Sequence, residues 1–278
     1  MREFLYSQSS LLIAALLLLS LIAVIEIGYR VGRVRQAACD DTFRSHVNTV
    51  QASVLGLMAL LLGFTFSMAL QRFDGRSDAV VDEANAIGTT YLRSQFLPEP
   101  VRQEAGTLLR HYVDLRVTTG RIALDRPEER QALIMQSTAV LDQLWALAGR
   151  AVALDPSPST SGLFIQTLNE MIDSFGRRDA ILNRHVPELV LWLLYSTVLL
   201  TGGVLGYACG IGGHRPSVVS FVFGLMIVVV AVVIIDIDRP RRGLIQVDQS
   251  SLVNLGAAID AAVSPRDQIP PSPTAVPR

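Results

Sequence analysis

The side chains that could act as nucleophiles, bases or metal ligands are few in this chain and widely separated. The four histidines stand far apart, at positions 46, 111, 185 and 214. Cys39 and Cys209 are too distant in sequence for a CxxC motif. All 24 basic residues are arginine, which excludes lysine Schiff-base chemistry and a P-loop lysine. The GxSxG, HExxH and GxGxxG motifs are missing from the sequence, so we expect no enzyme, no cofactor and no metal site.

Carboxylates near the ends of apolar segments are the next group with possible chemistry. Asp236 and Asp238 run into an arginine-rich segment that begins at Arg239. Two carboxylates fall short of the roughly six to eight oxygens that Ca²⁺ prefers. We therefore expect these carboxylates to form ion pairs with Arg72 and Arg76, and a cation site is the minor alternative.

Two further acidic features have structural explanations. Glu26, at the end of the first apolar segment, either pairs with Arg30 one helical turn on or marks the helix end. The second feature is a group of four acids on one predicted helix, namely Asp74, Asp78, Asp82 and Glu83. We expect these acids to be solvated or paired with arginines.

The composition places these residues in a membrane protein. Hydrophobic residues make up 50% of the chain, charged residues only 18%, and the mean hydropathy is +0.39. Four uncharged segments are each close to the length of about 20 residues that spans a bilayer. They are residues 4–25, 50–70, 189–209 and 217–235. A signal peptide is the alternative for the first, but the small residues Ala37 and Ala38 lie well past its apolar run.

The second apolar segment carries small or polar residues on one helical face. Steps of three and four residues connect Ser53, Gly56, Leu60, Gly63 and Ser67. Such a face either packs closely on another helix or lines a pore. Phe64 and Phe66 near its inner end would form a constriction or contact lipid. The third segment carries glycines at 202, 206 and 210, for which close helix packing is a sufficient explanation.

The residues between the second and third spans predict amphipathic helices and no strands. Periodic apolar residues, with proline and glycine as breakers, indicate helices over 78–97, 101–124, 127–154 and 163–184, with a loop over 155–162. A short helix over 252–263 precedes a proline-rich tail that we expect to be disordered. The predicted domains are a first membrane pair 1–70, a helical cytoplasmic domain 71–186, a second membrane pair 187–237, a cytoplasmic segment 238–263 and the tail 264–278.

Arginine placement favours cytoplasmic N- and C-termini. The inner flanks then hold arginines 2, 72, 76, 177, 178, 184, 239, 241 and 242, and the outer loops hold 30, 33, 35, 44 and 215. Cys39 and Cys209 fall on the same outer side in this topology. They would meet an oxidising periplasm, where they either bridge or remain free.

Two sequence blocks resemble the bacterial bestrophin-like family of unknown function. The first is residues 61–69, Leu-Leu-Gly-Phe-Thr-Phe-Ser-Met-Ala, followed by Arg72. The second is residues 83–89, Glu-Ala-Asn-Ala-Ile-Gly-Thr, followed by Tyr-Leu-Arg at 91–93. Glu-x-Gly at 26–28 and Asp-x-Asp-Arg-Pro-Arg-Arg-Gly at 236–243 are also similar to that family.

The resemblance implies a layout shared with bestrophins, which are pentameric anion channels with four spans, cytoplasmic termini and a pore lined by the second span. It gives a pore role the same weight as helix packing for five second-span residues, namely Ser53, Gly56, Gly63, Phe64 and Ser67. Leu60 is the sixth pore-lining candidate, because it shares their helical face. The dense acidic run of the calcium clasp in animal bestrophins is missing here, so calcium gating is not expected.

The sequence therefore predicts an all-α protein of the bacterial inner membrane, with four spans and a helical cytoplasmic bundle. Its expected partners are the lipid bilayer, further copies of itself and inorganic anions. Nucleic acid is excluded, because 24 basic residues balance 25 acidic ones. The leading functional hypothesis is a passive anion channel, and the alternative is a non-conducting scaffold or sensor whose cytoplasmic helices bind a partner.

Overall fold

The computed structural model of the protein describes residues 10–122, 126–182, 186–238 and 247–263. In these residues the regular structure is helical and includes no strand. The α-helices are α1 (Ser10–Arg35), α2 (Asp41–Ser94), α3 (Val101–Arg121), α4 (Pro127–Leu154), α5 (Leu163–Leu182), α6 (Glu188–Ile211), α7 (Val218–Asp238) and α8 (Ser250–Val263). The tail predicted to be disordered lies outside the described residues.

Four of these helices, α1, α2, α6 and α7, are long and apolar enough to cross a membrane. The four predicted spans correspond to these four helices, and residues 4–9 of the first span lie outside the described residues. Helix α2 has 54 residues. At about 1.5 Å per residue it is about 80 Å long, far more than the roughly 30 Å of a bilayer core. The second predicted span and the amphipathic segment after it therefore form one continuous helix.

The chain divides into two compact units. Unit 1 comprises Met1–Arg76 and Ile181–Val247, and unit 2 comprises Ser77–Ala180 and Asp248–Arg278. Unit 1 thus holds α1, α6, α7 and the first part of α2. Unit 2 holds α3, α4, α8, nearly all of α5 and the rest of α2.

The core of unit 1 is built from aliphatic side chains of all four apolar helices. Leu21 and Ile25 of α1 pack with Met58 of α2, Val198 of α6 and Ile234 of α7. Each of these side chains is buried. Only one side of α2 is buried in this core. The residues on its other side form the candidate site.

Helices α1 and α6 approach each other closely through glycines on both sides. A methyl group at Gly206 would collide with the backbone of Ile25, and one at Gly210 with the backbone of Tyr29 and Arg33. The close packing predicted for the α6 glycines is therefore observed. Gly28 and Gly32 provide the matching positions on α1, where a methyl group would meet the α6 backbone.

Unit 2 has its own core of buried apolar side chains. Leu109 of α3, Leu144 of α4 and Leu168 of α5 are fully buried. The periodic apolar residues that indicated a helix over 78–97 are only partly buried in unit 2. Ala84, Ile87 and Tyr91 are buried, but Val81 and Leu92 are exposed.

The predicted loop 155–162 contains a short helical turn, Pro158–Gly162, which the proline and serine content had concealed. Asp155 organises this turn, because its carboxylate accepts hydrogen bonds from the Ser157 amide (3.0 Å) and the Thr160 hydroxyl. Both hydrogen bonds lower the pKa of Asp155 below its ordinary value, and the bond from Thr160 has the larger effect.

Candidate functional site

One face of α2 in unit 1 is uncovered over four helical turns. We call it the open face and define it by the six predicted pore residues: Ser53, Gly56, Leu60, Gly63, Phe64 and Ser67. All six are exposed. Phe64, the largest of them, has 63% of its surface exposed. Among the described residues, no other helix of unit 1 covers this face.

The opposite side of α2 is buried. Met58, Thr65 and Ala69 lie about half a helical turn from the open face, because successive residues advance about 100°. They are between 0% and 4% exposed. The packing of α2 within unit 1 thus uses this second side.

The glycines of the open face contact nothing beyond their own helix. A methyl group built at Gly56 or at Gly63 has no other atom within 4 Å. This is the reverse of Gly206, where an added methyl collides with backbone. Within the described part of this single chain, close helix packing therefore does not account for the small residues of the open face.

The open face is uncharged from Ser53 to Ser67 and holds two serines, two glycines, one leucine and one phenylalanine. The Ser53 hydroxyl donates to the Thr49 carbonyl (3.0 Å), as serines in helices commonly do. At the other end, Gln71 donates to the Ser67 hydroxyl at 3.4 Å. Asp74, one turn further along, is also exposed. The face thus offers two hydroxyl groups, one aromatic ring and one leucine side chain, with the Asp74 carboxylate beyond Ser67.

Some of the residues predicted to form a charge network at the membrane boundary are in contact in unit 1. Arg76 is buried and donates to the backbone carbonyls of Ile237 (2.8 Å) and Asp238 (2.9 Å). The Asp238 carboxylate accepts from the Val186 amide at 2.9 Å. These bonds tie the end of α7 to α2. Asp236 is also buried.

The other members of that predicted network are Arg72, Arg239, Glu26 and Arg30. Arg72 is half-buried, and Arg239 is outside the described residues. Glu26 and Arg30 form an ion pair of 2.8 Å between largely exposed side chains. The ion pairs of Arg72 and Arg76 with the two aspartate side chains stay a prediction.

Both cysteines are free thiols in the structure. Cys39 is half-buried and Cys209 is buried. The end of α1 and the segment after α6 are neighbours, since Arg33 donates to the Gly213 carbonyl at 3.0 Å. Pairing of the two cysteines stays a prediction. In the described part of the chain, no group of three or more His, Cys, Asp or Glu side chains could hold a metal ion.

A second polar cluster lies inside unit 2. Glu83 is fully buried and accepts from Arg116 (2.6 Å to Oε1), from Arg178 and from the Tyr112 hydroxyl (3.2 Å). The Arg116 guanidinium also lies 4.8 Å from the centre of the Phe175 ring. The arginine-paired alternative for the acidic group is therefore correct for Glu83.

The charges in this cluster shift the ionisation of the groups on α3. Burial, and then the Glu83 carboxylate, raise the pKa of Tyr112 well above its ordinary value. Burial is the largest single effect on Arg116 and would lower its pKa, but the Glu83 carboxylate, together with Tyr112 and Asp179, raises the pKa overall. Both groups keep their ordinary protonation states, so the cluster fastens α2, α3 and α5 together within unit 2.

The sequence did contain a signal for the buried position of Glu83. It lies three residues after Val80 and four before Ile87, both of which are buried. An acid at that spacing shares the helical face of its apolar neighbours. The adjacent Asp82 concealed this, since it lies on the solvent side with Arg177 at 3.8 Å.

The fold and the open face define a multi-span α-helical membrane protein with an uncovered small-residue face on one long helix. The profile of the Bestrophin-like domain matches residues 14–252. The chain belongs to this family, as its sequence blocks predicted. No curated protein sequence matches the chain.

Solved structures share this fold at low sequence identity. A bacterial bestrophin homologue from Klebsiella pneumoniae, solved as a single-substitution variant, is 16% identical with a TM-score of 0.64. The match covers 90% of this chain and 99% of that one. A second variant of that homologue is 18% identical, with a TM-score of 0.63 over 89% and 96% of the two chains. A variant described only as a membrane protein is 16% identical, with a TM-score of 0.57 over 88% and 96%.

Proposed function

We propose that this protein is an oligomeric passive ion channel whose pore is lined by the open face of α2. Several copies would surround one axis, with Ser53, Gly56, Gly63 and Ser67 facing the ions and Phe64 forming a constriction. The proposed setting is the bacterial inner membrane, with both termini and residues 71–186 on the cytoplasmic side. The pore needs no cofactor, since ions would move down their gradients.

The observation that carries the proposal is the exposure of the open face on a helix whose other side is buried. A face in contact with lipid is normally aliphatic, as α7 shows with its exposed Val218, Val222 and Val229. The open face instead has two glycines and two serines among its six residues. Small polar residues leave room for ions and water, and they make poor contacts with lipid chains.

The ion class has two candidates. Anions are the first, on the likeness of this family to the bestrophin anion channels. Neither arginine near the inner end of α2 lies on the open face, since Arg76 is buried and Arg72 lies toward the buried side. The positive charge of this segment is thus directed away from the proposed pore.

Cations are the second candidate, and a specific residue favours them. Asp74 is exposed, and at seven residues after Ser67 it continues the open face at its inner end. In a symmetric oligomer this position would form a ring of carboxylates, and such rings attract cations. Reversal potentials under a salt gradient separate the two candidates. If the carboxylate ring selects for cations, an Asp74→Asn variant should shift the reversal potential toward the value expected for anion permeation.

The test of the channel is ion flux from proteoliposomes that hold the purified protein. Gly63→Val adds an isopropyl group of three carbons to the open face, at a position where a Cβ meets nothing within 4 Å, so folding should be unaffected and the pore narrowed. An added barrier of about 1.4 kcal/mol lowers flux roughly tenfold. Phe64→Ala removes the constriction and should raise flux.

The matched control is Gly149→Val on α4. Gly149 is also exposed, and a methyl group there also meets nothing within 4 Å. It lies outside the spans, so its flux should equal that of the wild type. Absence of flux in all salts from folded, oligomeric protein would contradict the channel and favour the scaffold or sensor. Loss of the oligomer in Gly63→Val would show that the open face is a contact between subunits.

A further inference from the structure

The buried polar cluster around Glu83 in unit 2 holds more positive than negative charge. Arg116 and Arg178 are 3% and 2% exposed, and both donate to the single Glu83 carboxylate. The nearby Asp179 carboxylate has an arginine partner of its own, Arg130 at 3.0 Å. A buried guanidinium without a full counter-charge is costly, because burial removes its hydration. One more negative group would therefore stabilise the cluster.

Arg178 is the less neutralised of the two buried arginines. Arg116 makes two hydrogen bonds to Glu83, of 2.6 and 3.3 Å, and also lies over the Phe175 ring. Arg178 donates one N–H to Glu83 and another to the side-chain carbonyl of Gln249, at 2.7 Å. Burial lowers the pKa of Arg178, and the Glu83 carboxylate offsets only part of this effect, whereas the pKa of Arg116 is raised. The second acceptor of Arg178 is thus a neutral amide at a place where a charged group would be favoured.

The Gln249 amide lies in a recess that a glycine of α3 leaves open. A Cβ atom at Gly120 would lie 2.5 Å from the amide oxygen of Gln249 and 2.9 Å from its amide carbon. The amide therefore fits there only because residue 120 has no side chain. Gln249 directly precedes α8, and its main-chain carbonyl accepts from the amides of Leu252 and Val253. The side chain of Gln249 is half-buried and has three rotatable bonds, so rotation about them would carry the amide out of the recess without moving α8.

We propose that the space bounded by Gly120 and Arg178, the carboxylate recess, binds one small carboxylate anion in place of the Gln249 amide. A carboxylate group has the planar shape of a primary amide, accepts two parallel N–H bonds from a guanidinium and adds the attraction of opposite charges. The bound anion neutralises Arg178 and connects α3 with α5. This site is separate from the open face of α2 and does not depend on the channel proposal.

Acetate binding to the full chain, purified in detergent at neutral pH, tests the proposal. Gln249→Ala removes the amide and leaves the carboxylate recess open. If the amide fills the recess in about nine molecules of ten, the wild type should bind acetate about tenfold more weakly than this variant. Saturation-transfer NMR of the acetate methyl signal measures the dissociation constant, and sodium chloride keeps the ionic strength constant.

Gln143 on α4 provides the matched control, because it is an exposed glutamine of the same unit. Gln143→Ala should bind acetate as the wild type does. Gln249→Glu is a second variant, which places a carboxylate in the recess as part of the chain. It should unfold at a higher temperature than the wild type and should no longer bind acetate. Gln143→Glu should leave both properties unchanged.

Three results would overturn the proposal. The first is equal acetate binding by folded Gln249→Ala and Gln143→Ala proteins. The second is acetate binding that persists unchanged in Gln249→Glu, which would place the anion elsewhere. The third is a lower unfolding temperature for Gln249→Glu than for the wild type, which would show that the cluster does not accept another negative charge. If Gln249→Ala does not fold, the two measurements on Gln249→Glu decide the question.

Discussion

Glycines in the membrane-spanning helices have two opposite surroundings, and their substitution should reveal the difference. Gly206→Ala would press a methyl group into the Ile25 backbone, which cannot move without displacing α1. Overpacking of this kind costs about 1–3 kcal/mol. We therefore expect a clear loss in the free energy of unfolding, measured by denaturant titration in detergent.

The matched control for that substitution is Gly56→Ala on the open face. No atom lies within 4 Å of the added methyl, and alanine favours helix over glycine by about 0.5–1 kcal/mol. The free energy of unfolding should be unchanged or slightly raised. Equal destabilisation by both substitutions would contradict the assignment of the two faces.

Substitutions of two adjacent acids on α2, Glu83 and Asp82, should also have unequal effects on the free energy of unfolding. Glu83→Gln leaves the guanidinium groups of Arg116 and Arg178 buried without their counter-charge. Removing one partner of a buried ion pair costs about 3–5 kcal/mol. Asp82→Asn removes only an ion pair with Arg177 in which both side chains are more than half exposed, and should cost about 0–1 kcal/mol.

Thermal or denaturant unfolding of the two variants decides this comparison. If the buried cluster stabilises unit 2, Glu83→Gln lowers the free energy of unfolding much more than Asp82→Asn does. A similar small effect from both would mean that the buried cluster contributes little to unit 2.

The glycines and the acids show what a sequence pattern leaves undetermined. Gly56 and Gly63 are seven residues apart and share a helical face, as the glycines of α6 do at steps of four, yet only the α6 glycines touch another helix. Spacing fixes which residues share a face, because it follows from helix geometry. Which face meets a neighbour depends on tertiary packing, and only the structure supplies that.

At the scale of the helix, the attachment of α8 to unit 2 should depend on pH. Arg110 donates to both carboxylate oxygens of Asp260, at 2.5 Å and 2.8 Å. These hydrogen bonds lower the pKa of Asp260 below its ordinary value of 3.8. Asp260 ionises at lower pH when α8 is docked than when it is free. The contact therefore stabilises docking above pH 3.8 and is lost as the pH falls through the lowered pKa.

Hydrogen exchange of α8 amides, compared between wild type and Asp260→Asn at each pH, tests this dependence. The variant should exchange faster than the wild type at neutral pH, and the two should converge in acid. Leu252 and Ile259 are buried and hold part of the attachment at any pH. An Asp142→Asn variant on α4 controls for the loss of one carboxylate. If the difference in exchange rate between the two proteins is the same at every pH, ionisation of Asp260 does not control the attachment of α8.

Helix positions were the most predictable property of the chain. The span 189–209 corresponds to Glu188–Ile211, and the helix 127–154 to Pro127–Leu154. Long apolar runs and proline breakers are local signals, and they determine where helices start and stop. The helical turn at Pro158–Gly162 was missed because its stabilising bonds from Asp155 depend on a particular local fold.

At the scale of the whole molecule, the proposed channel places the open face in contact with water and the outer side of α7 in contact with lipid. Thiol chemistry distinguishes the two, because a cysteine reacts as a thiolate and ionises poorly in hydrocarbon. In a background of Cys39→Ala and Cys209→Ala, Ser53→Cys should react with a membrane-impermeant charged reagent. Val222→Cys, which is 60% exposed on α7, should not.

The proposed orientation of the chain in the membrane predicts the order in which two positions of the open face react. With cytoplasmic termini, α2 runs inward from Asp41, so Ser53→Cys lies before the Phe64 constriction and Ser67→Cys lies beyond it. Reagent added outside should modify Ser53→Cys faster than Ser67→Cys, and Phe64→Ala should reduce the difference. If Ser53→Cys is as unreactive as Val222→Cys in folded oligomers, the open face is covered by protein or lipid and carries no ion path. If Ser67→Cys reacts first, the face is wet but the chain has the opposite orientation.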